Sequence, residues 1–449
     1  MTSCSINKQI SKEAKQIIFS DSNFLPAHVG ISIYDPATNQ YLYNYQGDKY
    51  FVPASNMKLF TCYAAMKHLG DSLVGLRYQM LGDTLLKILP SADPTLLHPD
   101  FKNQPVLRFF QYNTQKPQVL VWNTNQGVEP LGNGWTWNDY LEDYAAERSS
   151  LPVYGNLFRF TVLPISKRTE EKYLNKSFYR VLDITPKFYD TYINYSLQVD
   201  EKNADLKFKI IRAKDENEFR IKPVKTSLPQ EFYIPISFSF PGLAFDLLAD
   251  TAKFKYQQPS VYSIIYDKHW NLANLKTIHS QPTDSLLKIM MHRSDNFFAE
   301  QSLLMVSNET FGYMSDTKIV DSLLQTDFKS LPQKPKWVDG SGLSRYNLIT
   351  PQDFVWVLTH MKSDFKWERI STILPTGNEG TLAGYYKNHV GKIYAKTGTL
   401  SNNVSLSGYI TTQKGKQLIF SILVNNHQTS ASNIRRTMEK FLVEVMDEN

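Results

Sequence analysis

The sequence predicts an α+β protein, an antiparallel sheet flanked by helices, whose chain is interrupted by a large β-rich insertion. Two pairs of strand-like runs frame the chain: HVGISIYD and QYLYNY around the turn 35–39, and VSLSGYITT and QLIFSILVNN around the turn 413–416. Segments of helical period accompany them, at 7–19 and at about 431–446. From about 78 to 274 the texture changes to short runs rich in Tyr, Phe and Pro, such as QVLVWNT, NLFRFTVLPI and DLKFKIIRA, which suit strands.

At 449 residues the chain exceeds the length at which one core stops growing, so two or three domains are expected. Apolar residues make up 42% and charged residues 20%, and no apolar run is long enough to cross a bilayer, which predicts a soluble globular chain. The net charge of +6 is scattered, leaving no footprint for nucleic acid. Cys4 and Cys62 are the two cysteines, too few for a disulfide framework or a Cys-rich metal site. The nine histidines lack HExxH or similar spacing, so neither a metal nor another cofactor is implied. Cys62 reads as a small core residue. The opening Met1-Thr2-Ser3-Cys4-Ser5 resembles the end of a bacterial lipoprotein signal, which would make a lipid on Cys4 the membrane attachment; a cysteine in a frayed tail is the other reading.

The first helix and hairpin lead to PASNMKLF, where Pro53 and short residues start a helix, LFTCYAAMKHL continues it and Gly70 ends it. Ser55 and Lys58, three residues apart, share one face of that helix. The same Ser-x-x-Lys spacing recurs at Ser5/Lys8, Ser285/Lys288, Ser315/Lys318 and Ser363/Lys366, so spacing alone decides nothing. Ser55 differs because it stands at the positive end of a largely buried helix, where a developing alkoxide is favoured. A second strong helix covers 283–306 and is interrupted at HRSDN, which holds Ser294-Asp295-Asn296. Ser-x-Asn also occurs at Ser5/Asn7 and Ser401/Asn403, whereas Lys396-Thr397-Gly398 occurs once, just before a predicted strand. Ser-x-x-Lys, Ser-Asp-Asn and Lys-Thr-Gly in this order are the signature of enzymes acylated by penicillin.

Longer stretches sharpen the likeness. PASNMKLFT, ADPTL (92–96), GNGWTWNDY (132–140), HRSDNFFAE, DGSGLSRYNLITP (339–351), GNEGTL (377–382) and AKTGTL (395–400) together resemble the D-alanyl-D-alanine carboxypeptidase/endopeptidase family of class C low-molecular-mass penicillin-binding proteins. The resemblance implies a split β-lactamase/transpeptidase-like catalytic domain in residues 1–77 and 275–449. Inserted domains would fill 78–274, an inner one lying at roughly 165–235. It further implies a serine DD-peptidase of the periplasm or cell envelope that cleaves peptidoglycan stem peptides and is inhibited by β-lactam antibiotics.

Amide cleavage through an acyl-enzyme needs a deprotonated serine, a proton donor for the departing amine and hydrogen-bond donors facing the oxyanion. Ser55 would be the nucleophile and Lys58 its neutral base, with burial and the charge of Lys396 lowering its pKa. Ser294 would relay a proton to the leaving nitrogen, and Asn296 would hold Lys58 and the substrate peptide, while Asp295 points elsewhere. Lys396 with Thr397 and Thr399 suits a terminal carboxylate, and Gly398 would let substrate backbone approach the strand. By resemblance, the backbone N–H groups of Ser55 and Thr399 form the oxyanion hole, and Asp139, Arg345 and Ser401 line the site for the diamino acid. Trp135 and Trp137 read first as packing residues and only then as ligand contacts. Asn402-Asn403 stand where relatives carry Gly-Val. Two alternatives remain: a serine β-lactamase or esterase on the same fold, and a peptidoglycan-binding protein without turnover. Glu171-Lys172-Tyr173-Leu174-Asn175 imitates a β-lactamase deacylation element but precedes Ser294, the wrong order for that role.

Overall fold

The computed structural model describes residues 3–82, 85–113, 118–122, 128–163, 180–187, 195–197, 209–222, 230–238, 242–253, 262–265 and 274–448. The chain divides into two compact units, one of Met1–Leu73, Gly132–Trp135 and Pro282–Asn449, the other of Val74–Leu131 and Thr136–Gln281.

The first unit is built on a five-stranded antiparallel sheet in the order Ile393–Leu400, Asn403–Thr411, Gln417–Asn425, His28–Asp35, Gln40–Tyr45. The hairpins from the two ends of the chain thus join along Gln417–Asn425 and His28–Asp35. These central strands are buried along most of their length, which explains why they read as near-continuous apolar runs rather than strict alternation. On one face, Ile10, Ala14 and Ile18 from the N-terminal helix and Ile434, Phe441 and Leu442 from Ala431–Glu448 pack against Ile31, Ile33, Val404 and Ile422.

Alternation along Asn403–Thr411 sends Tyr409 to the opposite face from Ile410. There its hydroxyl donates 2.7 Å to the Leu358 carbonyl of helix Pro351–Asp364. That helix opens with Thr350 and Asp353 capping each other's backbone N–H and with Pro351 in its first turn. Helix Lys58–His68 is buried at every position from Lys58 to Met66, apolar apart from Lys58 and Thr61, and therefore internal. Its Phe60 packs against Phe328, Trp337 and Phe354 at ring distances of 5.3–5.5 Å. It ends at Leu69, and Gly70 follows with φ +67°, the left-handed stop expected of glycine.

The second unit is rich in strands but also carries two helices, Pro105–Asn113 and Leu243–Ala252, within the stretch expected to be β. Its largest sheet runs Tyr262–Ile265, Gln118–Trp122, Leu85–Pro90, Ser72–Leu81, Lys276–Pro282, with Gln118–Trp122 parallel to both neighbours. Two three-stranded sheets accompany it. Phe158, Phe160 and Phe219 meet edge to face or tilted in its core. The inner inserted domain expected over roughly 165–235 falls largely outside the described residues, and so does Glu171-Lys172-Tyr173-Leu174-Asn175. Among the described residues no helix is long and apolar enough to cross a membrane.

Candidate active site

The serine of PASNMKLF lies on a 3₁₀ turn, Ala54–Met57, that feeds helix Lys58–His68, rather than on the helix itself. The backbone enters through Ala54 at φ +49°, a left-handed conformation that costs a non-glycine residue about 1–2 kcal/mol. Standing in the first turn, the Ser55 N–H has no intrahelical acceptor and keeps its donor available.

Lys58 is fully buried, with Nζ 3.0 Å from Ser55 Oγ, 2.6 Å from Asn296 Oδ1 and 2.8 Å from the Ser341 carbonyl. Burial pushes its pKa down to about 8, against the upward pull of Asp339, Asp295 and Glu300. Lys396, expected to depress Lys58 by its charge, is coupled to it, each amine disfavouring charge on the other. Burial first, then Lys58 and Arg435, hold Lys396 well below the usual lysine range.

Ser294 and Asn296 come to the same place because helix Thr283–Arg293 stops at Ser294, with φ +59°, and helix Asn296–Phe311 starts two residues later. Asp295 turns away to accept the Phe298 N–H at 2.9 Å, capping the new helix. Lys396 Nζ donates to Ser294 Oγ at 2.8 Å and to the Thr397 carbonyl at 2.7 Å.

Lys-Thr-Gly lies within the edge strand Ile393–Leu400, not before a strand as its sequence suggested. The missing side chain of Gly398 makes room for the protein's own chain. A Cβ there would meet the Ser405 hydroxyl and fall 2.8 Å from the Pro53 carbonyl and 2.9 Å from the Ser55 nitrogen. The strand edge therefore abuts the backbone of the serine turn. Asn56 fastens the two by donating 2.6 Å to the Lys396 carbonyl while accepting from the Ser407 hydroxyl at 2.7 Å.

The Ser341 carbonyl is aimed at Lys58 by the loop Asp339-Gly340-Ser341-Gly342. Buried Asp339 accepts from Gly342 N at 2.8 Å, Ser344 N at 2.6 Å, Asn347 Nδ2 at 2.7 Å and Trp135 Nε1 at 2.9 Å. Glu300, also buried, accepts the Ser341 N–H at 2.7 Å. Gly342 adopts φ +81°, and a Cβ on it would collide with the Ala54 carbonyl. Sequence reasoning passed over Ser341, Glu300, Asp339 and Asn56; the Gly pair in DGSG was the one local signal of a tight loop.

Arg345 and Ser401 are brought together, both terminal nitrogens of Arg345 lying 3.3 Å from the Ser401 carbonyl. Asn402 occupies φ +66°, a conformation asparagine tolerates, and Asn403 begins the next strand. Asp139 belongs to the second unit, on the short turn Trp137–Leu141, where the Tyr144 hydroxyl bonds to its carboxylate. Trp137 is 73% exposed, so it is not the packing residue its sequence suggested. Cys62 is buried as expected. Among the described residues no group of three or more His, Cys, Asp or Glu side chains is gathered for a metal ion.

The D-alanyl-D-alanine carboxypeptidase DacB of Haemophilus influenzae is 24% identical over 437 residues, covering 90% of this chain and 86% of that protein. A D-alanyl-D-alanine carboxypeptidase of an Actinomadura species is 27% identical over 472 residues, covering 94% of this chain and 82% of that one. The crystal structure of penicillin binding protein 4 from Haemophilus influenzae shares the fold, with a TM-score of 0.71 at 19% identity over 96% of this chain and 97% of that one. The model of the D-Ala-D-Ala carboxypeptidase 3 (S13) family matches residues 16–445, and the chain belongs to that family.

Proposed function

We propose that the protein is a serine DD-peptidase that hydrolyses D-Ala-D-Ala termini, D-Ala–diamino-acid cross-links, or both, in peptidoglycan stem peptides, and that β-lactams acylate the same serine. The observation that carries this reading is the set of partners around Lys58. A neutral amine has two hydrogens and one lone pair. Asn296 Oδ1 and the Ser341 carbonyl can only accept, so they take the hydrogens and leave the lone pair to the Ser55 hydroxyl. Lys58 is thereby oriented as a base toward Ser55.

In the forward step the Ser55 oxygen bonds to the scissile carbonyl carbon and its proton passes to Lys58. Collapse of the tetrahedral adduct breaks the C–N bond, and Ser294 relays the proton to the leaving amine; its oxygen already accepts from Lys396, so its own hydrogen is free to donate. The N–H groups of Ser55 and Thr399 stabilise the oxyanion, a contribution of about 3 kcal/mol for each donor. Water then hydrolyses the acyl-enzyme. Lys396, Thr397 and Thr399 bind the carboxylate of the leaving residue, with Gly398 keeping strand and serine turn in register. Asp139, Arg345 and Ser401 recognise the diamino acid. A catalytic domain in residues 1–77 and 275–449, a cell-envelope or periplasmic location and a lipid on Cys4 belong to the same proposal.

Release of D-alanine from an acyl-D-Ala-D-Ala peptide, with chromatography of digested muropeptides, tests it. Wild type should liberate D-alanine, shorten cross-linked dimers, or both, and Ser55→Ala should do neither. Turnover that survives Ser55→Ala would reject the assignment.

A further inference from the structure

Helix Asn296–Phe311 sets Asn296 and Glu300 four residues apart on one face, and helix Lys58–His68 sets Lys58 and Thr61 three apart on one of its own. The loop Asp339-Gly340-Ser341-Gly342 joins these two faces through two successive peptide groups. In the first, the Gly340 carbonyl accepts from Thr61 Oγ1 at 2.6 Å and the Ser341 N–H donates to Glu300 Oε1 at 2.7 Å. In the second, the Ser341 carbonyl accepts from Lys58 Nζ at 2.8 Å and the Gly342 N–H donates to Asp339 Oδ1 at 2.8 Å. A Cβ on Gly340 would fall 2.7 Å from the Ala299 carbonyl, so the loop lies directly on the backbone of the helix that carries Glu300. Glu300 and Lys58 are both buried, yet the bonds of Lys58 Nζ go to a hydroxyl, an amide oxygen and a carbonyl, none of them charged.

Burying a carboxylate is costly, and a neutral amide of the same shape could accept the Ser341 N–H as well. Asp295 caps a helix and Asp339 gathers a ring of donors, but Glu300, the last residue of HRSDNFFAE, has no part in the steps above. We propose that Glu300 is a positioning residue for the base: through the Ser341 N–H it holds the loop whose carbonyl orients Lys58, and its buried charge steadies the ammonium that Lys58 becomes on taking the Ser55 proton. This rests on the DD-peptidase reading above and adds a group that acts on the base without touching substrate. Asp339 and Asp295 act on Lys58 in the same sense as Glu300, and Lys396 in the opposite one. Glu300 differs from the other two acids in the one printed bond its carboxylate makes, to the loop that orients the base.

The test measures acylation by benzylpenicillin from pH 6 to 9 in wild type, Glu300→Gln and Glu300→Leu, with thermal melting of each. Glu300→Gln keeps an oxygen for the Ser341 N–H and loses the charge. The pH at which its rate levels should fall by about one unit, and the level itself by about threefold, because a weaker base takes the proton less readily. Glu300→Leu loses the acceptor as well and should lower the level by about tenfold or more. A merely structural Glu300 would lower the melting temperature without moving the pH profile. A Glu300→Gln profile that turns at the wild-type pH, or a level in Glu300→Leu as high as in Glu300→Gln, therefore overturns the inference while leaving the peptidase reading intact. A wild-type protein that benzylpenicillin does not acylate overturns that reading and the inference with it. Should Glu300→Gln and Glu300→Leu fail to fold, Glu300→Asp decides, since it keeps the charge but is one methylene short of the Ser341 N–H. A profile turning at the wild-type pH with a lowered level supports the inference, and a shifted turn or an unchanged level overturns it.

Discussion

Lys58 must be neutral before it can take a proton, and with a pKa near 8 only a minor fraction is neutral at pH 7. Because burial lowers this pKa, the base becomes available as pH rises through about 8. The acylation rate with benzylpenicillin should climb about tenfold per pH unit below that point and level above it. Stopped-flow or quench measurement across pH 6–9 checks this; a flat profile in wild type would remove Lys58 as the base. Lys58→Ala should lower the rate by about 10²–10⁴, and Lys58→Arg should fail as well, since a guanidinium does not deprotonate. The grouping of Ser55, Lys58, Ser294, Asn296 and Lys396 was legible in sequence because the chemistry dictates residue types at short local spacings. The Ser341 carbonyl was not, since any residue supplies a backbone acceptor.

Helices and hairpins came through in the sequence wherever one periodicity ran for a turn or more, as in 28–45, 283–306 and 403–425. What escaped was the join between elements. The 3₁₀ turn under Ser55, the left-handed Ser294 and the placement of Lys-Thr-Gly inside a strand depend on contacts hundreds of residues apart in sequence. Gly398 shows this at its sharpest, since the atoms that forbid a Cβ belong to Pro53, Ser55 and Ser405. Gly398→Ala should push the strand from the serine turn, costing about 1–3 kcal/mol of stability in urea denaturation and slowing acylation. Asp339→Ala would strand four donors around one buried site, Gly342 N, Ser344 N, Asn347 Nδ2 and Trp135 Nε1. A loss of about 4 kcal/mol is expected, and a change below 1 kcal/mol would show that this carboxylate does not organise the loop.

At the scale of the molecule, the two ends of the chain meet on one face of the sheet, where Glu13 lies near Glu448 and Gln9. Burial first, then the neighbouring carboxylates, raise Glu13 to about 7 from an ordinary 4.5. Between these values the folded state holds the proton more tightly than the unfolded chain, so this contribution to stability falls as pH rises from about 4.5 to 7. Glu13→Gln should therefore melt higher than wild type at pH 8 and alike at pH 4.5; the reverse order would refute the buried-acid assignment. The division into two units was only partly legible, because Gly132–Trp135 returns to the first unit from within the other, and four residues carry no compositional mark of such a crossing. The proposal that distant motifs make one acylating serine is tested most directly by the intact mass of the protein after benzylpenicillin, with the adduct mapped to a peptide. One penicilloyl group on the peptide containing Ser55, absent from Ser55→Ala, is the predicted result. An unchanged mass, or an adduct on any other residue, would contradict it.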